Sequence, residues 1–88
     1  MQFISNKRFG VAQKLKQDIS IGHNIQKLRQ KEGLTQEEVV AHLQLQGLTV
    51  SRSVYSQMEG GAYNIRISEL VALKNLFHAE FADFFIGI

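Results

Sequence analysis

Polar side chains that can hydrogen-bond to another molecule are concentrated between residues 51 and 60. Arg52 can donate two parallel N–H groups to guanine O6 and N7, and Gln57 can pair in the same bidentate way with adenine. These two residues are five apart, so both can face outward if a helix tilts in a groove. Three hydroxyls could reach a base or a phosphate: Ser51, Ser53 and Ser56. The competing interpretation is an ordinary polar surface helix.

A helix must carry these side chains, and the apolar residues between them have the right spacing for one. Val54, Tyr55 and Met58 lie opposite the polar set, which predicts a helix up to Gly60 with Ser51 as its N-cap. Tyr55 is therefore expected in the core, with its hydroxyl at the edge.

The preceding helix is predicted to begin at a capping box, because Thr35 is followed three residues later by Glu38. It is expected to run to Leu45 or Gln46 and to stop at Gly47, since glycine readily adopts the left-handed conformation that ends helices. Its buried stripe comprises Val39, Val40 and Leu43.

The rest of the chain also shows helical spacing. A helix is predicted from Ser20 to Lys31, with Asp18 or Ser20 capping its start. A fourth helix is expected after Ser68 as its cap, and a last short helix from Glu80 to about Ile86. The sequence therefore predicts one all-α domain of five helices over residues 20–88, with residues 1–19 as an N-terminal arm or a short extra helix.

Composition limits the class of protein. A chain of 88 residues with 44% hydrophobic side chains fits one small globular domain. It has no cysteine, so neither disulfides nor thiolate metal sites stabilise it, and a reducing cytoplasm is the expected location. No uninterrupted apolar run reaches the length of a membrane span, so no membrane partner is expected.

Positive charge is concentrated in the first third of the chain. Residues 1–31 contain seven lysines and arginines against Asp18 alone, a distribution that favours a polyanionic partner. The alternative is a solvated basic face without a partner. The segment up to residue 19 admits three interpretations: a basic arm along DNA, a membrane-surface helix, or an extra helix packed on the core.

Catalytic and metal-binding patterns are missing from the sequence. His23, His42 and His78 lie on different predicted elements without a carboxylate pair at ligand spacing, so solvated or packed histidines are expected. No nucleophile elbow or phosphate-binding glycine loop is present. The prediction is a protein that is not an enzyme and needs no cofactor.

Five short motifs together resemble the helix-turn-helix family of lambda Cro and the phage repressors, known as the XRE family. The resemblance extends from Ile21 to Phe85, and each motif alone is common, whereas the five in this order are specific. In chain order they are Ile21-Gly22 with Ile25 and Leu28-Arg29, Gly33 to Glu38, Val50 to Ser53, Ser56 to Glu59, and Gly61.

This resemblance implies a compact five-helix, lambda-repressor-like domain whose third helix, about residues 51–60, lies in the major groove of double-stranded DNA. Gln36, at the start of helix two, would donate to a phosphate, and Ser51, Arg52, Ser53 and Gln57 match the family's recognition helix. Arg29 and Glu59 match a structural ion pair of many relatives. Apart from the resemblance, Tyr63 in the loop after helix three could bond a phosphate. The predicted DNA-binding set is Gln36, Ser51, Arg52, Ser53, Ser56, Gln57, Tyr63 and Asn64.

Two departures from the family pattern concern the fit to a groove. Leu43 is followed by the sequence QLQGLTVS, about five residues more than in most relatives, which predicts one extra helical turn and a longer connection. The loop after helix three, usually rich in lysine or arginine, has only Arg66 beside Tyr63 and Asn64, so phosphate contacts are expected to be few.

The predicted function is a small Cro-like transcriptional regulator or repressor that binds double-stranded DNA as a homodimer. The rival is an antitoxin-like or antirepressor module that uses the same fold to bind a protein partner. Five large apolar side chains between Phe81 and Ile88 exceed what a short final helix normally buries, which suggests a dimer contact there.

Overall fold

A computed structural model of the chain describes residues 19–88, which form four α-helices followed by one 3-10 helix. The all-α prediction is confirmed for this part of the chain. The arm or extra helix predicted for residues 1–19 lies, except for Ile19, outside the described residues. The elements are α1 (Gly22–Lys31), α2 (Gln36–Leu45), α3 (Arg52–Gly60), α4 (Ile67–Leu76) and the 3-10 helix (Phe81–Phe85).

Side chains cap the starts of α2 and α3, but none among residues 19–88 caps that of α1. Thr35 Oγ1 accepts from Glu38 N at 3.1 Å while Glu38 Oε1 accepts from Thr35 N at 2.8 Å, so the predicted capping box of α2 is present. Ser51 Oγ accepts from Val54 N at 3.1 Å and caps α3 as expected. The N-cap residue of α1 is Ile21, and no side chain of the described residues caps this helix, so the predicted cap at Asp18 or Ser20 is wrong; Ser20 Oγ instead accepts from Gly22 N at 3.0 Å.

The core lies at the centre of the four α-helices and is closed at one end by the 3-10 helix. Tyr55 of α3 and Phe84 of the 3-10 helix are its largest completely buried side chains. Side chains this large and this enclosed supply most of the hydrophobic stabilisation of a small domain. The other fully buried members are Ile25, Val39, Leu43, Val50, Met58, Ile65 and Leu73.

Where a last short helix is predicted from Glu80 to about Ile86, the structure has a five-residue 3-10 helix, Phe81–Phe85, and the count of five helices is not confirmed. A segment this short gains few intrahelical bonds, and contacts from elsewhere hold it. Asn24 Nδ2 of α1 donates to the carbonyl oxygens of Phe84 and Ile86, both at 2.9 Å. Asn24 therefore anchors this end of the chain to α1.

The cap predicted for α4 was also wrong. Arg66, not Ser68, is the N-cap residue, and α4 begins at Ile67. The reason is Glu69, whose Oε1 accepts from Arg66 N at 2.8 Å and so satisfies the helix end two residues earlier.

The long connection between α2 and α3 is ordered by one side chain and one glycine. The helix α2 extends to Leu45, as predicted, and Gly47 takes a left-handed φ of 87° that reverses the chain. Gln44 Nε2 then donates to Val50 O at 3.0 Å, while Val50 itself is buried. The residues after Leu43 thus form the end of α2 and a turn, held by Gln44, that leads directly into Ser51.

The start of α1 and the end of α3 approach so closely that only glycine fits between them. A Cβ atom on Gly22 would lie 2.4 Å from Glu59 O and 2.5 Å from Met58 O. Because both neighbours are backbone atoms, they cannot rotate away as a flexible side chain would.

Replacing Gly22 with alanine is expected to lower the free energy of unfolding by about 1–3 kcal/mol, because α1 must move off α3. Urea unfolding followed by circular dichroism measures this change. The matched control is Gly60→Ala, where a Cβ meets nothing within 4 Å, and no loss is expected there. Equal stability of the two variants would show that the helices are not in close contact.

Candidate nucleic-acid interface

The outer face of α3 is a strip of exposed polar side chains. Arg52, Ser53, Ser56 and Gln57 are all exposed, while Tyr55 and Met58 on the opposite side are buried. At about 100° per residue, the four polar positions fall within about 140° of arc, so they share one face. The helix therefore presents donors and acceptors of hydrogen bonds to solvent from a rigid, well-packed element.

The structure brings Arg29 of α1 and Glu59 of α3 together as a bidentate ion pair. Arg29 Nε donates to Glu59 Oε2 at 2.6 Å and Nη2 donates to Oε1 at 3.1 Å. Arg29 Nη1 also donates to Leu34 O at 2.9 Å, which ties in the turn between α1 and α2. Both side chains are nearly buried, with exposed fractions of 12% and 5%.

Burial and hydrogen bonding act in opposite directions on the Glu59 carboxyl. Burial favours its neutral form, but the hydrogen bonds from Arg29 and Gln36 outweigh this and hold its pKa below the ordinary value of 4.5. The hydrogen bond to Glu59 is also the main cause of a raised pKa for Arg29. Both groups are consequently charged throughout the neutral pH range.

Gln36, the first residue of α2, lies between the two ends of α3. Its Nε2 donates to Glu59 Oε1 at 2.9 Å, and its Oε1 accepts from Arg52 Nε at 3.0 Å. Arg52 and Glu59 are seven residues apart and so face the same side of α3, with Gln36 bridging them. Arg52 Nη1 also lies 3.3 Å from Glu37 Oε2. A phosphate contact from Gln36 stays a prediction, to be met by its second amide hydrogen or its backbone N–H.

Tyr55 lies in the core beneath this network. Its side chain is fully buried, and its hydroxyl makes no hydrogen bond within the described residues. Burial is the main cause of the raised pKa of Tyr55, and the neighbouring Glu59 carboxylate adds to it. The residue is thus a core side chain, not a platform for base stacking.

The loop after α3 is held by a buried carboxylate. Tyr63 OH donates to Glu69 Oε2 at 3.1 Å, and Glu69 is only 4% exposed. Burial, followed by the charge of Glu69, raises the pKa of Tyr63. A phenol has one hydrogen, so the predicted phosphate contact of Tyr63 requires this bond to open. Asn64, on the same loop, is exposed.

Three polar residues that organise the fold were missed by the sequence reasoning: Asn24, Gln44 and Glu69. Each bonds to backbone groups or to loop residues, and no periodic pattern marks such a partner. For Glu69 a signal did exist, because it stands three residues after the true N-cap, as Glu38 does.

Charge is distributed unequally between the described residues and the rest of the chain. Residues 19–88 contain six lysines and arginines against seven acidic residues, whereas residues 1–18 contain four against one. These balances of −1 and +3 add to the net charge of +2 for the whole chain. The excess of positive charge therefore precedes the helical domain.

Two other kinds of site, a metal centre and a membrane-spanning helix, are absent from residues 19–88. His78 Nδ1 lies 3.2 Å from Glu32 Oε1, and no group of three or more histidine or acidic side chains could hold a metal there. None of the helices in this range has the length and apolarity needed to cross a membrane.

Comparison with known proteins agrees with this geometry. A family model described as a helix-turn-helix domain matches residues 20–82. The chain is also similar to the crystal structure of the restriction-modification controller protein C.AhdI from Aeromonas hydrophila, with 25% sequence identity and a TM-score of 0.61. That match covers 73% of this chain and 89% of the controller protein. A search of curated protein sequences gives no match.

The chain belongs to the helix-turn-helix domain family and is of the XRE type, so the predicted family is confirmed. This places it among the DNA-binding regulators. Within the fold, α2 and α3 form the two helices of the motif, and the exposed face of α3 belongs to its second helix.

Changing Glu59 to glutamine should make the stability of the domain less dependent on pH. Because the pKa of Glu59 is lower in the folded protein, its stabilising effect is complete above about pH 4.5 and is lost as pH falls through the folded value. We expect the variant to lose about 3 kcal/mol or more at pH 7, since Arg29 is left without its carboxylate partner.

Urea unfolding of both proteins between pH 3 and 7 tests this, with Glu80→Gln, an exposed carboxylate, as the control. The difference between wild type and Glu59→Gln should shrink toward the acid end. A difference that is constant across this range would contradict the assignment of Glu59 as the ionised partner.

Proposed function

We propose that this protein is a small transcriptional regulator that binds double-stranded DNA sequence-specifically, with α3 in the major groove. The observation that supports it best is the exposed face of α3, where Arg52 and Gln57 carry the two side-chain types that read guanine and adenine bidentately. Ser53 and Ser56 lie between them on the same face. A regulator of this kind acts in the cytoplasm, where its DNA is located.

Phosphate contacts are proposed for the starts of the two motif helices. The hydrogen bond between Gln36 and Arg52 shows that these two helix ends are adjacent, so their exposed N–H groups can approach one stretch of backbone. Ser51 Oγ accepts from Val54 N and retains its own hydrogen for donation to a phosphate.

The similarity to C.AhdI supports the proposal that this chain is a regulator, because that protein is a restriction-modification controller protein. We propose that the present chain likewise controls transcription through its DNA contacts. The rival, an antitoxin-like or antirepressor module, is retained only as an outcome of the experiment below.

Selection of bound duplexes from a random pool, with the purified full-length chain at low salt, tests the proposal. Wild-type protein should enrich one motif. Arg52→Ala and Gln57→Ala should each weaken binding to that motif by about 1–3 kcal/mol and relax the preference at one base pair.

Gln30→Ala is the control for Gln57→Ala, because it removes the same amide side chain from an exposed position on α1. It should leave the enriched motif unchanged. If wild type enriches no sequence, or if the Arg52 and Gln57 variants bind the motif like wild type, the regulator is rejected in favour of the protein-interaction module.

A homodimer is proposed to form through the C-terminal apolar surface, defined as Phe81, Phe85, Ile86 and Ile88. These side chains are between 44% and 66% exposed, although all four are large and apolar. Basic residues of α1, Lys27 and Lys31, border the groove beside Asp83 and Ile86. Opposite charges around one apolar patch allow the patch to pair with itself by two-fold symmetry, so that two α3 helices read half-sites about 34 Å apart.

Replacing Ile86 with aspartate should therefore convert the dimer to a monomer, because a charge would be buried at the centre of the contact. Sedimentation equilibrium over a range of concentrations measures the change. Leu45→Asp, at an 84% exposed leucine on the far end of α2, should leave the oligomeric state unchanged. A wild-type chain that is monomeric at all concentrations would rule out this surface as a dimer contact.

A further inference from the structure

The guanidinium of Arg52 is held by two side chains of α2 at once. Its Nε donates to Gln36 Oε1 at 3.0 Å, and its Nη1 lies 3.3 Å from Glu37 Oε2. Arg52 is 55% exposed and stands at the first position of α3, on the face proposed to meet DNA. The longest side chain of this face is thus held by contacts within its own protein.

The direction of the Gln36 amide follows from the buried carboxylate behind it. An ionised Glu59 can only accept hydrogen bonds, so it must face the amide nitrogen of Gln36. The amide oxygen then points outward and requires a donor, which Arg52 Nε supplies. The hydrogen bond between Gln36 and Arg52 therefore follows from the position of Glu59 in the fold.

The contact with Glu37 has no comparable structural role. The capping box of α2 is formed by Thr35 and Glu38, not by Glu37, and an exposed ion pair such as Arg52–Glu37 contributes little to stability. Glu37 is 77% exposed, and as the second residue of α2 it lies beside the start of α3. A carboxylate so close to a DNA-facing arginine mainly affects which groups of the DNA the guanidinium can bind.

We propose that Glu37 is a specificity-determining residue that acts through Arg52 by competing with phosphate for its guanidinium. This inference rests on the proposed function. On unmatched DNA a flexible arginine would move to the nearest phosphate and strengthen binding to every sequence. Glu37 occupies Nη1 and opposes that contact. A correctly placed guanine offers two acceptors, O6 and N7, and so replaces the single carboxylate contact at smaller cost.

Specificity is a difference between two affinities, and Glu37 lowers the affinity for unmatched DNA more than that for matched DNA. Replacing Glu37 with glutamine should therefore reduce the ratio of specific to non-specific affinity by about two- to fivefold, the range typical of an exposed ion pair. The salt dependence of non-specific binding should also become steeper by about one unit of slope, because Arg52 gains a phosphate contact.

Fluorescence anisotropy with two duplexes of equal length measures these quantities: the duplex selected by wild-type protein and a scrambled version of it, each over a series of salt concentrations. The matched control is Glu38→Gln, which removes the same charge one residue away and keeps the capping box, since glutamine also serves there. The Glu37→Gln change is also made in an Arg52→Ala background.

Three results support the proposal: a lower ratio in Glu37→Gln, an unchanged ratio in Glu38→Gln, and no effect of Glu37→Gln once Arg52 is alanine. Equal changes in both glutamine variants would show only a general loss of negative charge and would overturn it. An effect of Glu37→Gln that persists without Arg52 would overturn it too. If wild-type protein selects no sequence, the proposed function itself fails, which is a distinguishable outcome.

Discussion

The carboxylate of Glu59 connects the two helices of the motif, α2 and α3, to α1. It belongs to the last turn of α3, pairs bidentately with Arg29 of α1, and accepts from Gln36 at the start of α2. Because Gly22 allows α1 to touch the backbone of α3 at the same place, this ion pair lies in a nearly dry contact. The orientation of α3, and through Gln36 the position of Arg52, depends on it.

Local chemistry made much of this arrangement predictable from sequence. The Thr35–Glu38 capping box, the Ser51 cap and the left-handed Gly47 each depend on residues close together in the chain, so their side chains alone indicate the turns. The apolar spacing of α3 likewise separated a buried Tyr55 from the exposed polar face. The pairing of Arg29 with Glu59 was implied only by family resemblance, since no local pattern joins residues 30 positions apart.

The unpredicted features depend on contacts between distant segments. Asn24 holds carbonyl groups 60 and 62 positions away, and the buried Glu69 sets both the start of α4 and the loop containing Tyr63. The hydrogen bond between Gln36 and Arg52 was not predicted either, because both side chains were expected to face a ligand. Nor was the hydrogen bond predicted by which Gln44 secures the α2–α3 connection to Val50.

The assignment of the exposed face of α3 as the DNA-contacting surface is tested most directly by amide NMR. The full chain, labelled with nitrogen-15, would be titrated with a duplex recovered by selection. We predict that the largest chemical-shift changes occur at residues 51–57 and at the start of α2 around Gln36, with little change in α4. Changes concentrated in α4 or the 3-10 helix, with residues 51–57 unaffected, would contradict it.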